Sequence, residues 1–106
     1  MSFMPPRRES AIEKEFKNWA ETHGWFVAKI VSPSKRAMPD RVFIKQSRSG
    51  KFHVTVWIEL KATNKEPTEQ QYKRHAEMRS HGAHVFWYDN LEAAIGCLRR
   101  MDPDEI

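Results

Sequence analysis

Apolar residues recur along this chain at two different intervals, and the changes of interval mark out its elements. From Arg7 to His23, the apolar residues Ile12, Phe16, Trp19 and Ala20 come three and four positions apart, which puts them on one stripe of a helix. Gly24 follows as a C-terminal stop. The stretch WFVAKIV, Trp25–Val31, is rich in β-branched and aromatic residues and predicts a strand. Next comes SPSKRAMP, a loop fixed by two prolines and carrying Lys35 and Arg36 side by side. Arg41–Gln46 and His53–Lys61 predict two more strands around the turn SRSG, whose Gly50 can take a positive φ.

The second half returns to helical spacing. A helix is predicted over Glu69–His81 and stopped by Gly82, with Thr68 three residues before Gln71 in the spacing of a capping box. AHVFWY, Ala83–Tyr88, predicts a fourth strand, and DNLEAAIGCLRRM a last helix with Asp89 as N-cap. The order is αβββαβα. A strand, a helix and another strand imply a parallel crossover between the third and fourth strands. The expected class is α/β (α+β), a central mixed four-stranded sheet flanked by helices. At 106 residues the chain is expected to be a single domain, with its core at about 7–101.

The third strand poses a chemical question. Alternation sends Val54, Val56, Ile58 and Leu60 to one face and His53, Thr55, Trp57, Glu59 and Lys61 to the other. Asp40 stands just before the neighbouring strand, where the hairpin can bring it beside the end of the third. A surface ion pair between Glu59 and Lys61 would contribute only about 0–1 kcal/mol. Two carboxylates and an ammonium at one sheet edge are more informative, because gathered carboxylates repel unless a cation intervenes. A hard divalent ion such as Mg²⁺ prefers oxygen ligands and would resolve that repulsion.

Composition narrows the classes. Hydrophobic content of 40%, with four Trp, six Phe and two Tyr, fits a globular fold. No apolar run approaches the roughly 18–20 residues of a membrane span, and MSFMPPRRES lacks a signal-peptide core. An intracellular, soluble protein with no membrane partner is expected. The single Cys97 excludes an internal disulfide and is expected to pack as a small apolar residue. The five histidines form no recognised zinc pattern. A net charge of +4 favours polyanionic partners. Lys35, Arg36, Arg41 and Lys65 lie in or beside loops near the acids and are candidate phosphate contacts. Trp57 is a candidate for stacking on a base or packing under a helix, whereas Trp19, Trp25 and Trp87 are expected in the core.

The Pro-Asp of MPDR, the apolar hairpin and the Glu-Leu-Lys of WIELKA resemble the signature of restriction-endonuclease-like nucleases, the PD-(D/E)xK superfamily. RESAIEKEFKNWAETHGW, SPSKRAMPDR and EPTEQQYKRHAEMRSHGAHVFWYD extend the likeness to a stand-alone VRR-NUC domain of the phage and bacterial type, over roughly Glu9 to Leu91. The resemblance implies a metal-dependent phosphodiesterase using Mg²⁺ or Mn²⁺. It places metal ligands at Asp40, Glu59 and the Leu60 carbonyl, with a water-mediated acid at Glu9, or at Glu13 one turn later. It places the catalytic lysine at Lys61 and a supporting glutamine at Gln71, whose other role is the capping box. Such proteins commonly carry glycine where Ala37 stands. Alanine disfavours a positive φ by about 1 kcal/mol or more, so the loop there is expected to be ordinary in backbone or slightly strained.

No recognition helix or zinc finger is left over to read bases, so the expected activity is a structure-selective DNA endonuclease, acting on branches or four-way junctions. Two-fold junctions call for two sites, hence an expected homodimer. The family likeness adds a cytoplasmic setting in a bacterial or phage-infected cell. The rival class is a non-catalytic nucleic-acid-binding module of the same fold; RNA-directed or exonucleolytic action at the same site is a third alternative.

Overall fold

Three helices and four strands follow one another among the described residues in the expected order. They are α1 (Glu9–Thr22), β1 (Phe26–Lys29), β2 (Arg41–Gln46), β3 (His53–Leu60), α2 (Glu69–Ser80), β4 (His84–Tyr88) and α3 (Leu91–Met101). The structure, a computed structural model, describes residues 6–32 and 34–105. The residues before Pro6, and Pro33, one of the two prolines expected to fix the basic loop, lie outside that range.

The sheet runs β1-β2-β3-β4, antiparallel across the first three strands and parallel between β3 and β4. Parallel neighbours need a long crossover, and α2 supplies it. The result is the mixed α+β sheet that the chain order implied.

Alternation along β3 divides the molecule. Val56, Ile58 and Leu60 are at most 1% exposed and join Ile12, Phe16 and Ala20 of α1 and Ala94, Cys97 and Leu98 of α3 in one core. The four-residue spacing of the α1 trio keeps them on one stripe, as helical geometry requires. Helix α2 covers the other face at the β4 side. Its start carries the predicted capping box: Thr68 N–H donates to Gln71 Oε1 (2.9 Å) and Gln71 N–H to Thr68 Oγ1 (3.2 Å).

Two local expectations are corrected and a third is decided. Helix α3 is capped by Asn90, whose side chain accepts from the Ala93 amide at 2.8 Å, because the helix begins one residue later than expected. Asp89 instead accepts from the Asn64 amide at 3.0 Å, tying the loop after β3 to the end of β4. Ala37 does have a left-handed backbone, φ 62°, so of the two expectations for that loop the strained one holds. Trp87 is not in the main core; it pairs with Glu59 in register and meets the Tyr72 ring edge-on beneath α2.

Candidate active site

Local geometry brings the acids together from three directions. Arg41 lies opposite Ile58 in the β2–β3 ladder, and carrying that register on by one residue sets Asp40 opposite Glu59. The Ile30 amide donates to the Asp40 carbonyl (2.7 Å), holding the start of β2. Lys61, just past β3, is fixed by its own amide donating to the Tyr88 carbonyl (2.9 Å). The segment before α1 is tied to the same end of the sheet: Arg7 N–H donates to Thr63 Oγ1 (2.9 Å) and Thr63 N–H to the Arg7 carbonyl (3.0 Å). That reciprocal pair lands Glu9 beside the Pro-Asp strand.

Glu9, Glu13 and Asp40 each offer an oxygen, and these lie within 4.8 Å of one another. Glu59 is 1% exposed, with Oε2 3.9 Å from Lys61 Nζ. A carboxylate so deeply placed is not half of a surface ion pair, which removes the bland account of Glu59 and Lys61. Burial, followed by the neighbouring Glu59, pushes Asp40 up to about 6. Burial and then Asp40 raise Glu9, and burial raises Glu59 against the opposing pull of Asp40 and Lys61.

The donor set fits a hard divalent cation. All donors are carboxylate oxygens, the ligand type Mg²⁺ and Mn²⁺ prefer. Glu9, Glu13, Asp40 and Glu59 face two cations, Lys61 and Arg41, the latter with its guanidinium 3.8 Å from Glu13. The two excess negative charges are what one such ion would cancel.

No protein-family model matches the chain. A curated relative is 32% identical over 85 residues, covering 80% of this chain and 86% of its own; it is "Putative nuclease p44" of Acyrthosiphon pisum secondary endosymbiont phage 1. A solved structure described as "VRR_NUC domain" superposes with a TM-score of 0.74 at 25% identity, covering 86% of this chain and 94% of that one. The chain belongs to the VRR-NUC family.

Within this VRR-NUC domain the expected site residues are placed differently. Asp40, Glu59, Lys61 and Glu9 converge, and the backbone of Leu60 lies between two of them in a fully buried strand end. Gln71 uses its side-chain oxygen in the α2 cap. Lys35, Arg36 and Lys65 are exposed in loops. Arg41 differs: its side chain is only 15% exposed and turns toward Glu13, away from open solvent.

Ser34, Arg36, Ala37, Gln70, Lys73, Arg74 and Glu77 line an open pocket of about 500 Å³ between the basic loop and α2. Arg74, in that lining, donates from Nε to the Arg36 carbonyl at 3.0 Å. Trp57 lines a neighbouring pocket with Lys35 and Met78. Sequence reasoning left two residues without a settled place. Glu13 joins the cluster together with Glu9, one helical turn apart. His75 lies fully buried against Glu59. The available signal was its position, four residues after Gln71 on a helix with few apolar residues to bury.

Proposed function

We propose that this VRR-NUC domain is a divalent-metal-dependent endodeoxyribonuclease selective for DNA structure, acting on branched and four-way junction DNA. The observation that carries the reading is the convergence of a fully buried Glu59 with Asp40 and Lys61 at one end of the sheet. Asp40, Glu59, the Leu60 carbonyl and Glu9, with Glu13 beside it, would hold Mg²⁺ or Mn²⁺. The cation supplies Lewis-acid polarisation of the phosphate and a lowered pKa for water.

This chain's own residues do the rest. Lys61 orients the attacking water and offsets charge that develops on the phosphoryl oxygens. Lys35, Arg36 and Lys65 engage the flanking phosphates, and the pocket beneath the basic loop gives the strand its path. Trp57, in the neighbouring pocket, offers a ring for an unpaired base, whose stacking contributes about 1–3 kcal/mol. Phosphate contacts position the DNA without reading its sequence, so selectivity rests on shape.

A two-fold junction is cut symmetrically by two copies, and the protein acts as a homodimer with isologous contacts. Its setting is the cytoplasm of a bacterial or phage-infected cell; no helix among the described residues is long and apolar enough to cross a membrane. The test is cleavage of linear, flapped and four-way DNAs, circular and linear, in Mg²⁺, Mn²⁺ and EDTA. Metal-dependent cutting of the branched forms is expected. Binding that survives EDTA with no cutting of any substrate would instead identify a non-catalytic binding module. Sedimentation of a monomer at working concentration would remove the paired-site argument.

A further inference from the structure

The two oxygens of Glu59 have different surroundings. Oε2 lies 3.9 Å from Lys61 Nζ, while Oε1 lies 3.8 Å from Nε2 of His75. His75 is 0% exposed and is the buried residue of α2. Among the described residues neither of its ring nitrogens has a hydrogen-bond partner, and neither does Glu59 Oε1.

Unpaired polar atoms at this depth are costly and rare in native folds. Three of them on two adjoining side chains call for a reason, since the opposite face of the same strand is filled by Val56, Ile58 and Leu60. In either protonation state an imidazole has an N–H to donate.

We propose that His75 is a positioning residue for Glu59: its Nε2–H, aimed at Oε1, fixes the rotation of the carboxylate so that Oε2 is presented to the site. The inference rests on the nuclease reading of that site. A contraction of about 1 Å brings the pair to ordinary N–H···O length, within reach of the side-chain torsions of Glu59. His75 touches no substrate, because it lies beneath Glu59 and away from solvent. Its height over the sheet is set by the start of α2, which gives the Thr68–Gln71 cap one turn earlier a part in the same device.

The test compares His75→Leu, which removes the donor at similar size, with His75→Gln, whose amide nitrogen replaces Nε2. Mn²⁺ affinity is measured by calorimetry, melting without metal by circular dichroism, and cleavage on a four-way DNA. His75→Leu is expected to lose roughly 10–100-fold in Mn²⁺ affinity, with no loss in metal-free melting temperature, and to cleave more slowly. His75→Gln should stay close to the unsubstituted protein, and His75→Leu should change nothing further in a Glu59→Gln background. Unchanged Mn²⁺ affinity in His75→Leu, or equal losses in both variants, overturns the proposal. If His75→Leu does not fold, ¹⁵N spectra of the unsubstituted protein decide: the Nε2–H tautomer is required, and the Nδ1–H tautomer refutes it. A protein that binds Mn²⁺ but cuts no DNA defeats the nuclease reading, while the Mn²⁺ comparison still judges His75.

Discussion

The two ends of β2 gather charge in opposite ways. Near Lys45 the charges are matched: Lys45 Nζ lies 2.6 Å from Asp102, and Arg48 is 3.8 Å from Asp104 while its amide donates to the same carboxylate. Burial acts to raise Asp102, but the hydrogen bonds from Lys45 and the Asp104 amide, with the charges of Lys45 and Arg48, outweigh it and hold the carboxyl below its usual value. At the Asp40 end four carboxylates face two cations, and Asp40 rises to about 6. The ends differ in depth, with Glu59 buried and Arg48 exposed, and they differ in balance: the matched end joins the C-terminal segment to the hairpin, and the other gathers carboxylates in excess of cations.

Substitutions at the two ends should therefore differ in kind. Asp40→Ala or Lys61→Ala is expected to reduce single-turnover cleavage of a branched DNA by at least about 10³-fold, with circular dichroism unchanged. Asp102→Asn should leave cleavage as it is. Turnover retained in either site variant would reject the roles given to Asp40 and Lys61. Glu9→Gln should be milder, roughly 10–100-fold; a loss exceeding that of Asp40→Ala would make Glu9 a direct ligand.

Stability should respond the other way round. Asp102→Asn leaves Lys45 without its charged partner and is expected to cost about 1–3 kcal/mol in urea unfolding, whereas Asp40→Asn should raise the metal-free melting temperature. The pH dependence follows from the two shifts. Because Asp40 is raised in the fold, its stabilising contribution is present below about 4, its ordinary range, and is lost as pH rises through about 6. The gain from Asp40→Asn should therefore grow between pH 5 and pH 8. Asp102 is lowered, so its contribution is present above its ordinary value and is lost as pH falls through its folded value. The cost of Asp102→Asn should shrink in strong acid. Equal pH profiles for the two variants would erase the distinction between the ends. The smallest effect belongs to the loop: Ala37→Gly should stabilise by about 1 kcal/mol by relieving the left-handed alanine.

How far the site could be read in advance depended on the range of the interaction. Alternation along β3 separates Glu59 from Val56, Ile58 and Leu60 without any knowledge of partners, because successive strand residues must face opposite ways. The capping box of α2 is equally local, with donor and acceptor three residues apart. The inward turn of Arg41 and the arrival of Glu13 beside Glu9 depend on how α1 is docked, and that docking is set by the core packing of Ile12, Phe16 and Ala20 together with the Arg7–Thr63 pair across 56 positions. His75 was hidden for a related reason. Helix α2 buries one polar residue and no apolar stripe, so its inward face left no periodic mark. The cap at Asn90, one residue from the expected Asp89, turned on which of two adjacent capping side chains also had a partner elsewhere, the Asn64 amide.

The claim under all of this is that the Asp40 end is short of positive charge and takes a divalent cation to supply it. Calorimetric titration of Mn²⁺ into the metal-free protein at pH 8 tests that directly, beside Asp40→Asn and Asp102→Asn. The account predicts binding that Asp40→Asn abolishes and Asp102→Asn leaves intact, weakening toward pH 5 as the acids take up protons. No binding at pH 8, or binding that Asp40→Asn leaves unchanged, would contradict it.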